Sequence, residues 1–227
     1  MADAAPETNT RALLRDDAFE TRRAALARLT GDFHRRGWTP ATSSNFSFRV
    51  DGEHCAVTAS GGDKSTVRDE DLLVVDLAGR VVDAAPGRRP SAEAGLHRAL
   101  YRRDAAIGAV LHTHAPAALL AARVLRDRPL RLAGYELLKA FTDIDTHDAE
   151  LCVPVVANDQ DIDRLATAAD AALDAAPRTW AYLIEGHGVY AWGADLADAA
   201  RHLEALDYLL GIELELARLT GAPRPTP

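Results

Sequence analysis

The sequence predicts an α/β domain built around one core. Short runs of alternating apolar residues are joined by turn signals such as Asp51-Gly52 and Asp76-Leu77-Ala78-Gly79, and longer stretches between them carry apolar residues at helical spacing. Size is the third observation: 227 residues with 48% apolar content suffice for one substantial core and are few for two. The expected organisation is a flexible N-terminus over 1–16, a single domain over 17–220 and a loose tail over 221–227.

Charge and cysteine content narrow the function. The formal net charge is −8 and no lysine or arginine stripe interrupts it, which argues against a nucleic-acid partner. An anionic substrate must then be held by local groups. Cys55 and Cys152 are far apart and neither has a C-x-x-C partner, so neither a disulfide framework nor a thiolate metal site is expected. With no signal peptide and no run of 18 apolar residues, a reducing cytoplasm is the expected location, with no membrane partner.

Taken in order, Ala18 to Arg36 places Ala25, Leu26, Leu29 and Phe33 at helical spacing, and the helix ends before Gly37-Trp38. His34 reads as an ordinary helix residue. Thr42-Ser43-Ser44-Asn45 then precedes an alternating strand, Phe46 to Val50; Asp51-Gly52 turns the chain and His54 to Thr58 returns. The hairpin delivers Ala59-Ser60-Gly61-Gly62-Asp63-Lys64-Ser65. Glycine-freed amides, hydroxyls and an ammonium can form a cradle for phosphate, and an ordinary polar loop is the alternative. Both polar loops fall at the same end of the hairpin, on one edge of the sheet.

Leu72–Val75 and Arg80–Val82 form a second hairpin, after which Ser91 is a plausible N-cap for a helix over Ala92–Arg102. Glu93 falls in its first turn, where the macrodipole favours a carboxylate whether or not it has another role. Ile107 to Leu111 reads as a buried strand running into His112-Thr113-His114. Side chains alternate along a strand, so the two histidines project to one side, an arrangement that suits one metal ion. H-x-H alone is weak. A third histidine, His187, lies in a similar setting where the strand Trp180–Ile184 meets Gly186-His187-Gly188 and turns into another strand.

Between them a helix runs to about Val124, and Pro129–Ala133 is a short strand. Glu136 follows, flanked by Tyr135 and Leu137-Leu138, a setting that would partly desolvate it and raise its pKa toward an acid/base value; a solvated loop glutamate is the alternative. Leu151–Val156 is strand-like but interrupted by Pro154, which suggests an edge or bulge. Asn158–Ala176 and Leu196–Leu219 are helical, and His202 on the latter reads as a surface or interface residue.

Thr-Ser-Ser-Asn before a hairpin, Thr-Ala-Ser-Gly after it, Pro-Ser-Ala-Glu opening a helix, His-Thr-His, and Glu-Gly-His-Gly, in that order, resemble the class II aldolase and adducin superfamily from roughly Gly37 to Leu219. The set in this order is specific, while each piece alone is not. Within the superfamily, GWTPATSSNFSFR, SGGDKS, AVLHTHAP, GYELLKAF and LIEGHGVYAWG look most like its dehydratase branch, which serves methionine salvage. The resemblance implies a three-layer α/β/α sandwich with a mainly antiparallel central sheet. It also implies one Zn²⁺ per subunit on His112, His114 and His187, and a homotetramer with active sites near subunit interfaces.

The resemblance further implies phosphate contacts from the loops holding Ser43, Ser44, Asn45, Ser60, Gly61 and Ser91, and Lys64 lies in the same stretch. Aldolases of the superfamily use the glutamate matching Glu93 for proton transfer, and the animal dehydratases use the one matching Glu136, with a cysteine near the Glu93 position. Glu136 therefore ranks first and Glu93 second. The implied substrate is a small phosphorylated 2-ketose with hydroxyls on carbons 3 and 4 and a methylthio group on carbon 5, which loses water. Two other readings are a class II sugar-phosphate aldolase and a non-catalytic adducin-like interaction module.

Overall fold

The computed structural model of the chain describes residues 15–125, 129–176 and 179–221. The expected flexible segment over 1–16 and tail over 221–227 fall almost wholly outside them. Strands β1 (Asn45–Arg49), β2 (His54–Thr58), β3 (Leu72–Asp76), β4 (Val81–Asp83), β5 (Ala109–Thr113), β8 (Val155–Val156), β9 (Ala181–Ile184) and β10 (Gly188–Gly193) form one sheet in the order β4-β3-β2-β1-β5-β10-β9-β8. Every pairing is antiparallel except β8 with β9. The mainly antiparallel sheet expected from the resemblance is therefore present.

Alternation along the strands sorts the core into two layers. From β1 and β5, Phe46, Phe48, Ala109 and Leu111 join one hydrophobic cluster with Phe19, Leu26 and Phe33 of α1 (Asp17–Arg35), Ala118 and Ala122 of α3 (Pro116–Val124), and Leu203, Leu206 and Leu210 of α5 (Leu196–Thr220). Val110, Tyr182, Tyr190 and Trp192 face the other way. They pack with Leu96, Leu100 and Tyr101 of α2 (Ala94–Arg103) and Leu165, Ala169 and Leu173 of α4 (Ile162–Ala175). Three layers result, helices on both faces of one sheet, as in the sandwich predicted.

Two sequence expectations need correction. Leu151–Val156 lies at an edge, one of the two outcomes Pro154 suggests, but it is two strands rather than one. Glu150–Val153 is β7, paired with β6 (Leu130–Ala133) in a separate two-stranded sheet, and Pro154 marks the point where the chain leaves it and joins the main sheet's edge as β8. Proline has no N–H for a ladder, so a switch between sheets is a place it fits; its carbonyl still accepts from Leu183 N–H at 2.8 Å. His202 is not a surface residue but is 0% exposed. Its Nδ1 donates to the Trp192 carbonyl at 2.7 Å and its Nε2 accepts from the Thr142 amide at 3.1 Å, so it is a satisfied core histidine tying α5 to β10.

Smaller shifts are at element ends. The helix expected from Ala92 begins at Ala94, with Ser91 still holding the entering chain by accepting from the Glu93 amide at 3.3 Å. The Glu136 segment is a short 3-10 turn, Glu136–Ala140. Among the described residues, no helix is long and apolar enough to cross a membrane.

Candidate metal centre and active site

Register brings the histidines together. β5 ends beside the start of β1, with Asn45 opposite His112, while β10 sets Tyr190 opposite His112 on the other side. Two-residue spacing puts His114 on the same side as His112, and their Nε2 atoms stand 3.1 Å apart. His187 reaches them from the tight turn between β9 and β10, where its amide donates to the Ile184 carbonyl at 3.1 Å. The next residue must be glycine: a Cβ on Gly188 would lie 2.3 Å from the Thr113 carbonyl oxygen and 3.1 Å from His112 Cε1. One nitrogen from each of the three rings lies within 4.8 Å of the other two.

The surroundings leave these rings able to act as ligands. His112 Nδ1 donates to the Val189 carbonyl at 3.0 Å, which leaves Nε2 with its lone pair toward His114. His187 Nδ1 lies 3.3 Å from Asn158 Oδ1, and His187 Nε2 then faces Glu93 Oε1 at 2.9 Å. The His114 amide is fixed by the Trp38 carbonyl at 2.9 Å. Burial pushes the imidazoles of His112 and His114 below their ordinary range, which favours the neutral, metal-binding form. Lone pairs and a carboxylate oxygen aimed at one another make a donor set that a cation satisfies, so the residues present fit a metal.

Glu93 completes the group. Its Oε2 accepts from Asn45 Nδ2 at 2.6 Å and lies 3.7 Å from His112 Nε2. Burial by itself would raise this carboxyl, but its contacts with His187, His112 and Asn45 outweigh it and hold the group below its ordinary range, at about 2. These contacts favour the carboxylate form.

Glu136 is placed differently, and the expected desolvation does not occur. Its side chain is 73% exposed, paired with Lys139 at 2.5 Å and with His147 at 4.0 Å. The Lys139 hydrogen bond holds the carboxyl below its ordinary range rather than above it. The flanking apolar residues misled because a 3-10 turn sends neighbours in different directions: Leu138 is buried, and Leu137 and Glu136 are not. Leu137 lines a groove of about 840 Å³ with Trp38, Arg201 and Tyr208, and none of the three histidines lines it.

The candidate phosphate loops meet at the ends of the neighbouring interior strands, before β1 and after β2. Ala41, Thr42 and Ser44 all adopt positive φ, at 52°, 61° and 74°, a run of left-handed non-glycine residues that costs on the order of 1 kcal/mol each and clusters at functional sites. Ser43 Oγ is buried without a partner, and Ser44 Oγ donates to the Trp38 carbonyl at 3.2 Å. Ser60 is joined to the segment before Ser91 by its amide, which donates to the Arg89 carbonyl at 3.0 Å, and by an Ala59–Pro90 bridge. Gly61 takes φ +70°.

Lys64 stands close by but is 2% exposed, and its ammonium donates to the Gly62 carbonyl at 2.7 Å and the Thr42 carbonyl at 3.4 Å. It laces the two loops together rather than lying open beside them. Desolvation lowers its pKa, against the pull of Asp71 and Asp63. Sequence reasoning missed His97, which lies one helical turn beyond Glu93 on the same face. The i, i+4 spacing was the signal available.

Comparison with known proteins agrees with this fold. Residues 24–214 match the model of the Class II Aldolase and Adducin N-terminal domain. A "Methylthioribulose-1-phosphate dehydratase" of Stenotrophomonas maltophilia is 52% identical over 188 residues, 82% of this chain and 86% of that protein. A protein of the same name from Xanthomonas oryzae pv. oryzae is 53% identical over 194 residues, 84% of each chain. Among solved structures, l-fuculose-1-phosphate aldolase from Thermus thermophilus superposes with TM-score 0.69 at 28% identity, covering 90% of this chain and 99% of that one. The chain belongs to the class II aldolase and adducin family, a metal-dependent family.

Proposed function

We propose that this chain is a hydro-lyase that converts 5-methylthioribulose 1-phosphate to 5-methylthio-2,3-dioxopentyl phosphate and water, the reaction for which its relatives are named. The observation that carries this reading is the convergence of three imidazole nitrogens and a carboxylate beside loops suited to a phosphate. The cation is Zn²⁺, one per subunit, because three neutral imidazoles leave a coordination position open and suit zinc. The assembly is a homotetramer, and the location is the cytoplasm.

When bound by His112, His114 and His187, the cation supplies Lewis acidity toward the carbonyl at carbon 2 of the substrate. Ser43, Ser44, Ser60, Gly61 and Ser91 hold the phosphate and so fix which carbon meets the carboxylates, while Lys64 keeps the two loops in register. Glu93, beside the ligand histidines, receives the carbon 3 proton. Glu136, a carboxylate beside Lys139 and His147, relays a proton from solvent to the carbon 4 hydroxyl as its C–O bond breaks. The enol that remains takes a proton at carbon 4 and becomes the 2,3-diketone, so the overall change is loss of one water.

A second reading, cleavage of the bond between carbons 3 and 4, is favoured by one observation: Glu93, matching the aldolase position, is the carboxylate in contact with the histidines. Turnover of 5-methylthioribulose 1-phosphate by the zinc-loaded chain separates the two. The expected product is the substrate less one water; dihydroxyacetone phosphate would establish the aldolase reading instead. Run beside it, Gly61→Val should raise KM about tenfold, since a β-branched residue at φ +70° costs roughly 1–2 kcal/mol. An unchanged KM would remove this loop from the phosphate site.

A further inference from the structure

A line of hydrogen bonds runs from Glu93 into the core between the sheet and α2. Glu93 Oε2 meets Asn45 Nδ2 at 2.6 Å, Asn45 Oδ1 meets His97 Nε2, His97 Nδ1 meets Ser47 Oγ at 2.7 Å, and Ser47 Oγ meets the Tyr101 hydroxyl at 2.8 Å. Asn45 and Ser47 sit two apart on β1 and so share a face, while Glu93, His97 and Tyr101 recur every four residues at and beyond the start of α2. Asn45, Ser47, His97 and Tyr101 are all buried.

The direction of every proton follows from the carboxylate end. A carboxylate only accepts, so Asn45 must turn its NH₂ toward Glu93 and its carbonyl toward His97. That carbonyl requires a donor, which makes His97 the Nε2–H tautomer. A bare Nδ1 requires a donor in turn, so Ser47 gives its hydroxyl proton to His97, and Tyr101 gives its own to Ser47. His97 is neutral, because burial pushes its imidazole down to about 3. Its ring is held edge-on to Tyr190 at 5.4 Å, and Tyr190 stacks on the ligand His112 at 4.3 Å.

We propose that His97 is a positioning residue for the reaction: as the fixed Nε2–H tautomer it locks the Asn45 amide with its NH₂ on Glu93, and so aims the other Glu93 oxygen at His187 and the metal position. It rests on the catalytic reading of the site given above. Asn45 then serves the carboxylate as well as the loop that was expected to hold phosphate. The arrangement is of the kind in which outer hydrogen-bond partners set the orientation of groups around a metal, and losing such a partner typically costs about 10–100-fold in metal affinity or activity.

The test has two arms on the zinc-loaded full-length chain. In the first, ¹⁵N NMR of the histidine rings reads the His97 tautomer, which requires no turnover; the expected result is Nε2–H with Nδ1 unprotonated from pH 6 to 8, and an Nδ1–H ring overturns the proposal. In the second, His97→Phe removes the donor and should lower kcat by about 10–100-fold with KM little changed, while His97→Gln, whose amide can donate to the same Asn45 oxygen, should recover most of it. Equal loss in both variants, or full kcat in His97→Phe, contradicts the assignment. Should His97→Phe fail to fold, Ser47→Ala removes the hydroxyl on Nδ1 but leaves the Asn45 carbonyl in place, so an unchanged Nε2–H ring is expected and a shift to Nδ1–H overturns the proposal. If the wild-type chain fails to dehydrate its proposed substrate but shows the Nε2–H ring, the functional reading fails and the geometry stands.

Discussion

His187→Ala is expected to purify with most of its zinc lost and with no measurable turnover. The remaining pair, His112 and His114, lies on one strand end and offers two nitrogens 3.1 Å apart, whereas His187 closes the group from a separate turn. Losing a direct ligand should exceed the roughly 10–100-fold cost of losing an outer partner. The fold should survive, because His187 sits in a turn whose strands are paired by backbone bonds and whose close approach is made by Gly188. Metal content per chain, read with a circular-dichroism spectrum, checks both points. Full zinc and full activity in this variant would mean that the ligand set is wrong.

Substituting the two glutamates should separate two roles. Glu136→Gln is expected to lower kcat by about 10²–10⁴-fold with zinc content unchanged, since its side chain touches Lys139 and His147 and none of the three ligands. Glu93→Gln should lower kcat by a similar factor and also weaken zinc binding. Its new amide would present a donor to either Asn45 Nδ2 or the ligand side, and both places are arranged for an acceptor. Kinetics and metal analysis on the same preparations read the difference. A Glu136→Gln chain with normal kcat would leave Glu93 as the sole acid/base and move the account toward aldolase chemistry.

The sequence disclosed local features better than distant ones. The β1–β2 hairpin was legible because Asp51-Gly52 sits between two alternating runs, and the histidine pair because a strand has a period of two. The third histidine was legible through the glycines around it, which mark a close backbone approach. Pro154 was read as an irregularity, but its effect, sending β7 and β8 into different sheets, depends on which strands lie nearby in space.

Burial of single polar residues was the weakest part. His202 lies on a long helix whose inward face could not be assigned at that position, and Glu136 was judged by neighbours that a 3-10 turn points elsewhere. The link from Asn45 to Glu93 spans 48 residues and has no local signature at all.

We propose that zinc on His112, His114 and His187 is what makes this chain a dehydratase. The most direct measurement is the rate of water loss from 5-methylthioribulose 1-phosphate as zinc is titrated into metal-stripped protein. The predicted result is no turnover without metal and a linear rise that breaks at one zinc per chain. Undiminished dehydration by the stripped chain would contradict it.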